Sequence, residues 1–236
     1  MEFFKNLQKN ILIFFQLIDH TIAYLFSNIV DERKILKSIF KKKIVYVDIG
    51  ANLGASALSL SNYIKVKEAY LFEPNKESFE FLKLKFKDKK YKLINKGIGT
   101  LGKKIFYDYK ISSQSSFLKR SNNYFKEFNT VKEKYKIGLV PFDFFFKKKK
   151  IDFCKIDVEG MEYEVLRSMK NSLKNIKLIK VEINCLNDFF IKKDSNFNKV
   201  IHFLYKKKFK LYSISKIKFI KEKIFLMDIY FINSHK

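Results

Sequence analysis

The chain has 236 residues, 47% of them apolar and 31% charged. That is enough to bury a full core, which excludes a wholly disordered chain and a small disulfide-stapled scaffold. Two cysteines, Cys154 and Cys185, exclude a four-ligand zinc finger and a disulfide framework, and point to a reducing, cytoplasmic compartment. The formal net charge is +25, yet only three of the 49 basic residues are arginine (Arg33, Arg120, Arg167). Lysine excess beside abundant Phe, Ile and Asn is the codon signature of an AT-rich genome, and nucleic-acid readers favour the arginine fork. The charge is therefore read as a solvated lysine surface, and nucleic acid is not the expected partner.

Residues 3–26 read as a helix rich in Phe, Leu and Ile, and 31–39 as a second. Together they form a helical extension over 1–40, ahead of a domain over 41–236. The N-terminus lacks a basic start, an apolar stretch and a small-residue cleavage site, so no secretory signal is expected. Between Asn10 and Val30 only Asp19 is formally charged, but Gln16, His20, Ser27 and Asn28 make the segment too polar for a spanning helix. It is read as packed on the domain; peripheral membrane contact through its aromatics, Lys5 and Lys9 is the alternative.

Ile44–Ile49 is an apolar, β-branched run and predicts a buried strand. Leu53, Ala57, Leu60 and Ile64 then recur at helical spacing. A strand ends at Phe72, and Phe79, Leu82 and Phe86 mark a second helix. Short strands follow at 92–95 and 104–107. The rhythm breaks over 109–150, with Ser112, Ser113, Ser115 and Ser116, a charged stretch read as helical, Pro141 and four lysines at 147–150. This segment is read as an insertion covering the sheet's C-terminal edge and shaping the substrate site. A strand at 153–156, a helical face through Met161, Val165, Leu166 and Met169, a strand at 176–183 and a helix at 197–205 resume the alternation. Two late strands near 209–214 and 224–232 predict a terminal hairpin. The pattern is that of an α/β protein, a mostly parallel sheet with helices on both faces.

With only seven glycines and two prolines, their positions carry information. The run Val47-Asp48-Ile49-Gly50-Ala51-Asn52-Leu53-Gly54 leaves a strand and opens a helix, where open α/β sheets bind ligands and a helix N-terminus offers free amides. Its spacing, D-x-G-x-N-x-G, is not the dinucleotide fingerprint. Glu73, followed by Pro74 at the end of the next strand, lies 25 residues after Asp48, where an acid accepts two hydrogen bonds from a ribose diol. The plainer reading of Glu73 is a turn acid before the following helix.

These residues resemble the class I methyltransferases that use S-adenosylmethionine, and in detail the FkbM-like methyltransferase family. The resemblance runs from about Val45 to Asn184. It rests on VDIGANLG (47–54), FEPN (72–75), NKGIGTLG (95–102), SSQSSF (112–117), VPFD (140–143), KIDVEGMEYEVL (155–166) and VEIN (181–184). The KIDVEGME block is the most specific, mapping the family's acids and Glu-Gly pair onto Asp157, Glu159, Gly160 and Glu162. The resemblance implies a Rossmann-like fold with a seven-stranded sheet and a cofactor site at Asp48, Gly50, Ala51, Asn52, Gly54, Glu73 and Pro74. It adds Gly97 and Ile98, although Lys96-Gly97-Ile98 stands where an Ala-Leu-Gly type sequence is usual. The implied activity is O-methylation of a hydroxyl on a sugar, glycan or small secondary metabolite, such as a polysaccharide modification.

A sulfonium donor is already activated, so the protein must align the reactants and remove the acceptor's proton, the latter worth about 10²–10⁴-fold. Asp157, at a strand's C-terminal end, is the first candidate base, Glu159 the second, and Glu182 faces the same cleft. The alternatives are that Asp157 caps the next helix, with Glu159 in its first turn, and that Glu182 is a surface ion pair. Asp157, Glu182 and Asn184 are oxygen ligands of the kind Mg²⁺ uses, but such ligands alone do not make a site and no metal is assigned. His20, His202 and His235 lack zinc-ligand spacing, and His202 is read as a core or boundary residue. The competing functions are an RNA methyltransferase and a non-catalytic S-adenosylmethionine-binding module.

Overall fold

The structure, a computed structural model, describes residues 31–124, 129–191 and 196–234. The helix expected over 3–26, with His20, and also His235 lie outside them. Helix α1 (Glu32–Ile39) is capped by Asp31, whose carboxylate accepts the Arg33 amide. Then come β1 (Ile44–Ile49), α2 (Ala55–Ser61), β2 (Val66–Phe72), α3 (Lys76–Lys85) and β3 (Tyr91–Ile94). After the short β4 (Gly97–Ile98) the chain forms β5 (Gly102–Tyr109), β6 (Val131–Val140), α4 (Asp143–Phe146) and β7 (Ile151–Ile156). It closes with α5 (Glu162–Arg167), β8 (Ile176–Asn184), α6 (Asn196–Lys206), β9 (Phe209–Ile220) and β10 (Lys223–Asn233).

Seven strands form one sheet in the order β3-β2-β1-β7-β8-β10-β9. Every pairing from β3 through β8 is parallel; β10 runs antiparallel to β8 and to β9. This is the Rossmann-like class I arrangement, with its C-terminal hairpin. The turn of that hairpin places Lys221 and Glu222 at φ 45° and 66°, the left-handed pair of a two-residue hairpin loop, without a glycine. The β9–β10 register shifts at three points, two with the extra residue in β9 and one in β10, so both strands of the hairpin are bulged.

Both faces of the sheet are buried, which is why its central strands read as nearly continuous apolar runs. Ile35, Leu36, Ala57, Leu60 and Leu82 of α1–α3 pack on Tyr46, Phe153, Leu178 and Tyr230 on one face. Phe146, Val165, Leu166, Val200 and Leu204 of α4–α6 pack on Val47, Ile156, Ile179 and Val181 on the other. Each such side chain contributes roughly 1.5–3 kcal/mol by leaving water. Helix α1, which the sequence reading sets in the extension, thus joins the core of the sheet domain.

Two local expectations fail. The charged stretch in the insertion is strand β6, not a helix; Tyr135, Ile137 and Leu139 alternate with more exposed neighbours, and β6 pairs with β4 and β5 in a small second sheet. His202 is exposed, because α6 turns Val200 and Leu204 inward instead.

The glycines after β1 serve close packing within the protein. A Cβ on Gly50 would stand 1.8 Å from the Asp157 carbonyl oxygen, and one on Gly54 would stand 2.3 Å from the Phe86 ring. Both residues are left-handed, at φ 84° and 78°. Gly54→Ala therefore meets backbone strain and overpacking together, and is expected to cost about 2–4 kcal/mol in urea denaturation.

Candidate active site

The C-terminal ends of β1, β2, β7 and β8 bring most of the sequence-predicted residues to one sheet edge. After β1 the chain turns at Gly50, and the amides of Gly50 and Ala51 both donate to the Phe72 carbonyl at 3.0 Å. Asn52, at φ 46°, directs its amide at Glu73 Oε2, 2.7 Å away. The Asn75 amide donates to Glu73 Oε1 at 2.7 Å, so two backbone groups fix the carboxylate. Asn75, not Glu73, caps α3. Burial pushes Glu73 up to about 7, against the two amides that favour its charged form. The Asn95 amide group holds the carbonyls of Glu73 and Pro74.

Asp48 is fully buried in β1. Its register partner on β7 is Lys155, whose ammonium lies 3.2 Å from Asp48 Oδ1 and 3.0 Å from Asp157 Oδ2. Burial pushes Asp48 up, opposed first by the Lys155 charge. Burial works against the Lys155 cation, but Asp157 and Asp48 overcome it and raise its pKa. One buried cation thus ties together two carboxylates that would otherwise repel.

Asp157 leaves β7 with its amide on the Ile49 carbonyl. It does not cap α5, which begins at Glu162. Glu159 and Gly160 between them take left-handed φ values of 52° and 102°, delaying the helix. Carboxylate oxygens of Asp157, Glu159 and Glu182 lie within 4.8 Å of one another. Glu162, Asn184 and Leu226 complete the lining of this narrow cleft. Each of the three acids also meets a cation: Lys155 on Asp157, Arg120 on Glu159 at 2.8 Å, and Lys216 on Glu182 at 3.1 Å. Glu182 is thus both a cleft residue and an ion-pair partner. Burial and the Asp157 charge push it up to about 8, against Lys216; burial pushes Glu162 up to about 7.

Gly97 and Ile98 stand apart from these groups. A Cβ on Gly97 would meet Leu139 and Phe117, and Ile98 is buried in the core. The sequence reading missed the groups that hold the cleft. Arg120 is buried, with its guanidinium over the rings of Tyr109 and Phe189. The serine cluster fastens its segment across the sheet edge: Ser112 reaches Asn52, Ser115 reaches Asp108, and Ser116 donates to the Glu159 carbonyl. Asp108 in turn holds Asn75. Four serines in five residues were the available signal, while Arg120 offered none beyond its rarity.

Glu73, Glu162 and Glu182 bind protons more tightly folded than unfolded. Their stabilising effect is complete below the ordinary glutamate value of 4.5 and is lost as pH rises through 7 to 8. Stability is therefore expected to fall by on the order of several kcal/mol between about pH 5 and about pH 8. Urea unfolding at both pH values checks this, and Glu182→Gln is expected to flatten the slope.

Residues 48–211 match the family model described as the methyltransferase FkbM domain. No curated protein sequence matches the chain. Among solved structures, the FkbM methyltransferase of Methylobacillus flagellatus is 14% identical with a TM-score of 0.52; the match covers 82% of this chain and 45% of that one. The chain therefore spans under half the length of that relative. An uncharacterized protein of Listeria monocytogenes serotype 4b is 11% identical with a TM-score of 0.51, covering 89% of this chain and 70% of that one. A Streptococcus pneumoniae protein, a tRNA (m1A22) methyltransferase candidate solved with S-adenosyl-L-methionine, is 10% identical with a TM-score of 0.50, covering 88% and 75%. At these identities the structures speak for the fold; the family match covers more than half of the chain and carries the assignment. The chain belongs to the FkbM methyltransferase domain family.

Proposed function

We propose that the protein transfers a methyl group from S-adenosylmethionine to a hydroxyl of a sugar, glycan or small metabolite. The observation that carries this reading is the pairing of a diol acceptor with an acid cleft on one sheet edge. Glu73 is held by the Asn52 and Asn75 amides, and each of its oxygens keeps lone-pair capacity for a ribose hydroxyl. The acids of the cleft, with Asp157 held charged by the Lys155 ammonium, suit a cationic sulfonium and repel a polyphosphate. When bound, the donor supplies an activated methyl group.

The chain's own residues do the rest. Lys155 braces Asp157 at the mouth of β7, where it takes the acceptor's proton. Arg120 fixes Glu159, and Lys216 fixes Glu182, as the flanking walls. Beyond Asn184 an open groove lined by Tyr124, Leu186, Asp188 and Lys223 gives the acceptor a ring face and polar contacts. Tyr124 and Asn123 already orient the Asp188 carboxylate there.

Calorimetry with the donor and its demethylated product is expected to show binding, weakened about 100-fold by Glu73→Ala as charged hydrogen bonds are lost. No heat with either ligand removes the reading. Affinity for the donor is expected to rise as pH passes 7 and Glu73 ionises, and Glu73→Gln to abolish that rise. Asp157→Asn is expected to lower turnover about 10²–10⁴-fold with little change in donor affinity. A labelled-donor transfer assay against polysaccharide, small glycans and RNA in parallel assigns the acceptor; label on RNA alone overturns the hydroxyl assignment.

A further inference from the structure

The opposite, N-terminal edge of the sheet has the reverse chemistry. Lysines at 41–43 lead into β1, at 65 and 67 flank the start of β2, at 147–150 lead into β7 and at 206–208 into β9; three of the four residues at 87–90, before β3, are lysines. All but Lys90 and Lys149 among them are exposed. The strand order places these segments side by side, from β3 at one end to β9 at the other, along roughly 29 Å of edge. The acids there are engaged: Glu68 takes Lys149, Asp88 takes Lys90, and Asp152 accepts the Val45 amide. Next to exposed Lys147 and Lys148 of this edge, α4 leaves Phe144 67% exposed, while Phe145 turns onto the Phe72 ring at the far end of β2.

We propose that this edge docks the protein on an anionic lipid bilayer, with Phe144 entering the headgroup layer and the lysines meeting lipid phosphates. A row of point charges with a projecting aromatic fits a plane, and interfacial binding combines these two elements. A nucleic-acid groove is the poorer fit, since none of the three arginines lies in these segments. The strands are about 20 Å long, so a docked molecule holds its acid cleft that far above the headgroups, open to the aqueous side. The proposal requires no particular methyl donor.

Sedimentation of the full chain with phosphatidylglycerol–phosphatidylcholine vesicles tests the proposal, with phosphatidylcholine alone and single-stranded RNA as comparisons. Binding is expected with the anionic vesicles only, and to weaken as salt rises. Joint Lys147→Gln, Lys148→Gln and Lys150→Gln substitution is expected to weaken it about 100-fold. Phe144→Ser is expected to weaken vesicle binding while leaving any RNA binding unchanged. Unchanged thermal unfolding and donor calorimetry show that the variants fold. Vesicle binding unaffected by both sets, equal binding to neutral vesicles, or RNA binding tighter than vesicle binding overturns the proposal.

Discussion

The site depends on Lys155. A carboxylate fully buried in β1 and a second at the end of β7 are tolerable together because one ammonium lies within 3.2 Å of both. Removing that cation would leave uncompensated buried charge, a change worth about 3–5 kcal/mol. The pairing also fixes the relative height of β1 and β7, because Asp48 and Lys155 are register partners. The Asp157 amide on Ile49 and the carbonyl seated where Gly50 lacks a Cβ reinforce the same junction. Geometry at the cleft is therefore inherited from the sheet's centre and not from its loops.

A second buried charge set continues this pattern under α1. Lys180 on β8 meets Glu32 at 2.6 Å and Asp228 at 3.0 Å, while Tyr230 and Tyr63 donate to Glu32. Burial alone would raise Asp228; Lys180 and Lys216 outweigh it and hold the residue down at about 2. Asp228 is also the register partner of Glu182. Cleft and helix anchor thus lie on one electrostatic chain across β1, β7, β8 and β10. This explains why α1 is part of the domain although its sequence looks detachable.

Much of the architecture was legible because two-sided burial writes apolar runs into the strands, and the run at Ile44–Ile49 matches β1 at both ends. The position of Glu73 was legible because a strand end followed by Pro-Asn must turn. Less visible were contacts that depend on register. Lys155 and Asp157 share a strand face by spacing, but the link to Asp48 needs the β1–β7 alignment. Arg120 gave no local pattern, since its partner Glu159 is 39 residues away. The mistaken helix at β6 arose where charge hid a two-residue period, and nothing local to Gly50 and Gly54 pointed to Asp157 and Phe86, the groups a Cβ there would strike.

The bulged edge strand bears on how the protein behaves in a crowd. Strand β9 ends the sheet, so among the described residues one side of its backbone has no strand partner, the usual template for a neighbouring molecule's strand. Two of the three register shifts put an extra residue in β9 and twist it, and exposed Lys210 and Lys218 place charge along its length. Both devices oppose edge-to-edge polymerisation, which protects a chain whose aromatic content of 17% would otherwise invite aggregation.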